Sequence, residues 1–213
     1  MPRGITRVNA ANMLDNTVVS GNIANASLNN ITAIPAVIPT GALNLISTQR
    51  ASSSASLEFS IDGTYDSYVF KFINIHPASS GYFTFQLSTD GGSNYNTTIT
   101  STYFRTYHYE DDSYTALEYE GSSDQAQGTA FQRTVNIGNG NDECGSGTLQ
   151  LFNPSSSVFV KHFLVNGCDT GSSIAMQRFI AGYSNTTSVI NAVQFKMASG
   201  NIDSGVIKLY GIS

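Results

Sequence analysis

The sequence predicts an all-β protein: an antiparallel β-sandwich, jelly-roll-like, with an extended N-terminal arm. Three observations carry that expectation. From Leu43 onward, short apolar or alternating runs are separated by turn clusters such as Asp62-Gly63, Asp90-Gly91-Gly92, Gly138-Asn139-Gly140-Asn141, Asn153-Pro154 and Ser199-Gly200-Asn201, the pattern of a sandwich or barrel. No segment carries three turns of amphipathic helix. Charged residues make up 12% of the chain against a usual share of about 25%, and the abundance of Ser, Thr, Asn and Gly suits strands, tight turns and a polar, non-ionic surface.

The 213 residues suffice for one well-buried domain plus an appendage. Residues 1–42 read as an anchoring arm and 43–213 as the sandwich domain. In the arm Asn9, Asn12, Asn16, Asn22, Asn25, Asn29 and Asn30 crowd together. Its apolar residues Val19, Ile23, Leu28, Ile31 and Ile34 follow neither the helical period nor strict alternation, and Pro35 and Pro39 favour an extended ending. Such a segment orders itself only against a neighbour, so these aliphatic side chains are the expected anchor; a disordered tail is the alternative.

Within the sandwich about ten strands are expected. SYVFKFINI at 67–75 is apolar on nearly both faces, interrupted only by Lys71 and Asn74, which places it centrally or under a contact surface. Phe83, Phe85 and Leu87 alternate with Thr84, Gln86 and Ser88, and Val193, Phe195 and Met197 alternate with Ala192, Gln194 and Lys196. Each of those two strands is expected to have one wet face. Strands at 146–153 and 158–165 should form a hairpin, with Cys144 and Cys168 placed almost symmetrically about its loop. That symmetry brings the two sulfurs within bonding range if the register is right. Reduced thiols, as cytosolic synthesis leaves them, are the other outcome.

The stretch TYFRTYHYEDDSYTALEYEGSSD at 102–124 gathers Tyr107, Tyr109 and Tyr114 with Asp111 and Asp112. Tyrosine rings stack on sugars and carboxylates bind sugar hydroxyls, so one reading is a glycan or protein contact; clustered acidic oxygens suggest calcium as another. The plain reading is two strands joined by a solvated acidic loop, with aromatic pairs across the ladder.

Other functions find no support in the residues. A formal charge of −5 with no basic run gives neither a phosphate-neutralising surface nor a polybasic membrane patch, so no nucleic acid is expected as a partner. MPRGITRVNAANMLDN lacks the apolar core of a signal peptide, and no stretch is long enough to span a bilayer. The Gly-x-Ser-x-Gly elbow, the phosphate-binding loop and the His-Glu-x-x-His helix are absent, and His76, His108 and His162 are scattered. No catalytic residue, metal ligand set or cofactor is expected. Two cysteines without a CxxC or a nearby histidine do not make a zinc site.

Several stretches taken together, Gly63-Thr64-Tyr65-Asp66-Ser67-Tyr68 leading into VFKFINIHP, then NYNTTITST, FNPSSSVFVKHF and SGNIDSGVIKLYGI, resemble a group of virion structural proteins of tailed, often marine, bacteriophages. The resemblance covers roughly 43–213 in blocks. The arm lies outside it, although ANMLDNTVVSGNIANASLNNIT looks like the short apolar-polar repeats by which phage appendage proteins attach to a particle. The resemblance implies a non-enzymatic sandwich made in the host cytoplasm and assembled into the virion, as a capsid-surface decoration or head-fibre component. Its expected partners are other copies of itself, trimers by analogy, and capsid or other virion proteins through the arm. The alternative is a tail-associated receptor-binding module that recognises a host surface glycan through the tyrosine-rich stretch. A glycoside hydrolase ranks last, because Glu118 and Glu120 on one strand face make a poor cleft.

Overall fold

Residues 43–171 and 173–213 are described by a computed structural model. The expected arm, with Val19, Ile23, Leu28, Ile31 and Ile34, lies outside the described residues. Twelve antiparallel strands, against the ten or so expected, run β1 (Asn44–Ser54), β2 (Leu57–Ser60), β3 (Ser67–Pro77), β4 (Gly81–Ser88), β5 (Ile99–Tyr109), β6 (Thr115–Tyr119), β7 (Gln132–Ile137), β8 (Gly145–Phe152), β9 (Lys161–Gly171), β10 (Ile174–Ser184), β11 (Ala192–Met197) and β12 (Ile202–Ile212). They form an eight-stranded sheet in the order β1-β12-β3-β8-β9-β10-β5-β6 and a four-stranded sheet in the order β2-β11-β4-β7. No helix occurs among the described residues.

The pairing is nested: β1 with β12, β2 with β11, β3 with β8 and β4 with β7. A long hairpin rolled over so that successive strands alternate between two sheets gives this order, which is the jelly roll. The hairpins β5–β6 and β9–β10 are additions that widen one sheet of the roll. As expected for a run apolar on both faces, β3 lies inside the larger sheet between β12 and β8.

Phe195 on β11 ties the layers together. Its ring lies 5.3 Å from Phe70 of β3, 6.0 Å from Phe59, 5.6 Å from Phe83 and 6.3 Å from Phe85, centroid to centroid. Burial of one such side chain is worth about 1.5–3 kcal/mol, and favourable ring pairs add about 0.5–1.5 kcal/mol each. Close packing requires glycine on β8, within the larger sheet, and on β9, where β7 of the smaller sheet comes near. A Cβ on Gly147 would lie 2.5 Å from the Asn166 carbonyl and 2.6 Å from Phe72 Cζ, and one on Gly167 would lie 2.6 Å from Val135 of β7.

The expected wet face of β4 is instead buried, with Thr84 2% and Gln86 and Ser88 0% exposed. Loops fold over it. The Gln86 side-chain amide donates to the carbonyls of Thr97, Thr129 and Ala130, and its carbonyl accepts from Thr97 Oγ1. This satisfies the buried amide, which would otherwise be costly. On β11, Ala192 is buried as well and Gln194 and Lys196 are half-buried, so neither strand has an open face.

Under the rim of the smaller sheet lies a fully buried ion pair. Arg178 Nε donates to Asp169 Oδ1 at 2.6 Å and Nη2 to Oδ2 at 3.0 Å, while Nη1 donates to the Tyr103 hydroxyl at 3.1 Å. Tyr103 in turn donates to the Thr134 carbonyl of β7, and the Tyr82 ring of β4 stands 5.8 Å from the guanidinium. Burial raises the Asp169 carboxyl above its ordinary value, against the pull of Arg178. Burial also opposes the Arg178 charge, but the carboxylate and Tyr103 outweigh it and hold the guanidinium above its own ordinary value. The arginine is therefore the partner that stays charged throughout. Asp169→Ala leaves that charge unpaired in the core, and urea unfolding is expected to show a loss of about 3–5 kcal/mol. Asp169→Leu combined with Arg178→Met, which removes both charges, is expected to recover most of it.

Candidate functional site

The added hairpin β5–β6 overhangs the smaller sheet, and the sequence-singled tyrosines meet there. Along the inward side of β5, Ile99, Ser101 and Tyr103 are buried, whereas Arg105, Tyr107 and Tyr109 are only half covered because no strand lies opposite them. Tyr107 and Tyr109, two residues apart on one strand face, have ring centroids 6.1 Å apart. Tyr114, just past the turn, closes the cluster at 5.8 and 6.5 Å from them.

Charged residues hold one side of this patch. Arg105 lies 5.4 Å from the Tyr107 ring and bridges Glu118 at 2.9 Å and Glu120 at 3.1 Å. The Tyr107 hydroxyl is pushed above its ordinary pKa by loss of solvation, with the Glu118 charge adding to the effect. The patch thus combines three aromatic faces with one guanidinium and two carboxylates. Arg105 and Glu118 are directly opposite across the ladder, a partnership that needs the β5–β6 register to be seen.

Asp111 and Asp112 do not join the tyrosines. Asp111 Oδ1 accepts from the Ser113 amide and closes the turn. The Ser113 hydroxyl, together with that amide, holds its carboxyl below the ordinary value. Asp112 takes a positive φ of 57° and turns to His108, whose Nε2 lies 3.0 Å away. Among the described residues no group of three or more His, Cys, Asp and Glu side chains is placed to share a metal ion.

The second feature is the outward face of the larger sheet. One row crosses all eight strands: Thr48, Lys208, Lys71, Thr148, Asn166, Phe179, Phe104 and Tyr119, each directly opposite the next. Phe104 and Phe179 stack at 5.0 Å in this row. Shallow grooves beside them are lined by Thr148, Gln150, Leu164 and Ala181, and by Phe152, His162 and Tyr183. From β8 to β6 the outward positions hold no Asp, Glu, Lys or Arg. The charged residues of these strands, Lys161, Asp169, Arg178, Arg105 and Glu118, all face inward.

A polar recess at the bulged end of β3 brings His76, Cys144 and Asp203 together. Cysteine, histidine and aspartate suggest nucleophilic chemistry, but the histidine is committed elsewhere. Its Nε2 faces the Gly140 carbonyl at 3.1 Å and must carry the proton there, since a carbonyl only accepts. Nδ1 faces Asp203 at 3.5 Å. Neither ring nitrogen is directed at Cys144, whose thiol sits against Asn74 Oδ1 at 3.9 Å.

Cys144 and Cys168 are free thiols, the second of the two outcomes the sequence leaves open. The register is set by core pairs, Leu149 opposite Val165 and Leu151 opposite Phe163. That register sets Cys168 opposite Ser146 and leaves Cys144 exchanging hydrogen bonds with Thr170, so the two cysteines are never opposite each other. Asn153, which begins the loop, has a φ of 43°.

No protein-family model matches the chain, and neither the curated proteins nor the solved structures offer a match. The site must therefore be read from its own residues. Alkylation of the native protein followed by mass analysis is expected to label both cysteines without prior reduction. The exposed Cys168 should react ahead of the partly covered Cys144.

Proposed function

We propose that the chain is a non-enzymatic structural protein of a bacteriophage virion, a jelly roll that serves as a capsid-surface decoration or head-fibre component and is anchored by residues 1–42. The resemblance of 43–213 to phage virion proteins supplies the class. The observation that carries the reading is the outward face from β8 to β6, which spans five strands without a formally charged side chain. Covering such a face with protein strips water from no ion, so the main desolvation penalty of an interface is avoided. Its Thr, Asn and Gln side chains supply polar contacts, and Phe104, Phe179 and Leu164 supply apolar ones.

The tyrosine patch favours a second reading, a tail-associated module that binds a host surface glycan. Stacked rings beside Arg105 and Glu118 offer both the apolar platform and the hydrogen-bonding groups that sugars take. Under that reading Tyr107→Ala and Tyr114→Ala abolish binding to host polysaccharide while leaving the thermal midpoint nearly unchanged.

Copy number separates the two. Quantitative mass spectrometry of purified virions against the major capsid protein should find tens to hundreds of copies for a decoration or head fibre, and a handful for an adhesin; absence from particles overturns both. Deletion of residues 1–42 should leave the sandwich folded and abolish incorporation, and normal incorporation would refute the anchoring role.

A further inference from the structure

The larger sheet ends in two free edges, β1 on one side and β6 on the other, neither paired to a further strand among the described residues. All its neighbours are antiparallel and its strand number is even, so β1 and β6 run in opposite directions. A second copy rotated about an axis along the strands therefore brings its β1 antiparallel to β6 of the first. The ladder can continue without a change of pattern.

The β6 edge is not protected against such pairing, and β1 is blunted only by Arg50 and an irregularity between Leu45 and Ser47. Natural edges are blunted by proline, lysine or outward charge, yet β6 has no proline or lysine and its one carboxylate, Glu118, is turned inward to Arg105. Its outward positions are Thr115, Leu117 and Tyr119, and the last two are 69% and 57% exposed. On β1, Leu45 and Ile46 are 58% and 40% exposed.

Charge distinguishes the edges. Residues 99–124, which contain β5 and β6, carry one guanidinium, Arg105, against six carboxylates, Glu110, Asp111, Asp112, Glu118, Glu120 and Asp124. That leaves −5, equal to the formal charge of the whole chain. At the other side Arg50, Lys71 and Lys208 share the outward face of β1, β3 and β12, with Lys71 directly opposite Lys208. Like charges so placed repel, and none of the three takes part in an ion pair among the described residues. β1 and β3 contain no carboxylate, and the one on β12, Asp203, is turned to His76. Lys71 stands over the Tyr210 ring at 5.5 Å, but no carboxylate pairs with any of the three cations among the described residues, and the acidic hairpin supplies carboxylates at the opposite edge.

We propose that neighbouring copies of this chain join edge to edge, β6 of one against β1 of the next, so that the eight-stranded sheet continues from copy to copy around a closed ring. The contact is head to tail: the acidic hairpin tip of one copy meets Arg50 and Lys208 of the next, while Leu117 and Tyr119 pack beside its β1. Rotation that closes makes a ring and removes both edges. The inference goes beyond the virion reading and stands without it.

Native mass spectrometry and sedimentation of the full chain are expected to show one closed oligomer that dissociates as salt is raised. Leu117→Lys with Tyr119→Lys should yield monomers with unchanged circular dichroism, the association constant falling about tenfold or more. Arg50→Glu should weaken association similarly, and adding Asp111→Lys and Asp112→Lys in the same chain should restore it. Deuterium exchange should show β1 and β6 amides protected in the oligomer and released in the Leu117→Lys, Tyr119→Lys variant. A monomeric wild-type chain overturns the proposal, as does an oligomer indifferent to these substitutions. Protection of β1 that persists in the monomer overturns it too, since that edge is then covered from within the chain. A monomer found at high copy in particles refutes the edge pairing and leaves the virion reading standing. A ring absent from particles does the reverse.

Discussion

Neighbouring strands lie about 4.8 Å apart, so the four strands of the smaller sheet span about half of the eight-stranded one, and the polar chemistry of the molecule follows from how the other half is handled. Where the layers overlap, Phe195 and its ring neighbours fill the space, and Gly147 and Gly167 let β7 and Phe72 come close. Where the overlap ends, the inward side changes in steps. First comes the buried Asp169–Arg178–Tyr103 group, closed over by Tyr82 and β7. Next is Arg105, half covered and bridging two carboxylates. Last is the tyrosine cluster in water. Charge is tolerated along this path in proportion to the partners that replace its lost hydration.

The same mismatch explains which parts of the sequence were legible. β3 reads as central because both its faces are apolar, and only a strand covered on both sides needs that. β4 misleads because a polar side chain facing a loop looks, in sequence, like one facing water. Its cover comes from Thr97, Thr129 and Ala130, residues no local pattern connects to Gln86. The tyrosines at 107, 109 and 114 were legible because spacing along a strand and around a short turn places them locally. Arg105 with Glu118 was not, since that pair depends on register. Asp111 and Asp112 were read with the tyrosines on proximity in the chain, whereas turn geometry sends them elsewhere.

Register also decides the cysteines. A hairpin's sequence fixes its centre only when the loop is short and regular. Here residues 153–160 form a loop held by bonds of its own and by outside partners, Asp66 against Asn153 and Ile190 against Pro154. Ser156 Oγ accepts from the amides of Val158 and Phe159, and the buried Lys161 ammonium donates to the carbonyls of Phe159 and Thr186. The core pairs Leu149 with Val165 and Leu151 with Phe163 then set the ladder, and the thiols take whatever positions remain.

Nested pairing among β1, β2, β3, β4, β7, β8, β11 and β12 completes the roll without β5, β6, β9 and β10. The additional strands contribute one face of the buried ion pair, but the closure of the roll does not require their outward side to be apolar, polar or charged. Selection on that side is free to answer to something beyond folding. It carries no formal charge over these four strands or on β8 beside them, while every charge in these strands is turned inward, where each must be partnered at some energetic cost. A surface serving solubility alone would place charges the other way round. The inversion is what a face destined for cover by another protein requires. On the proposed reading, the functional part of the molecule lies on the strands that the fold could have done without.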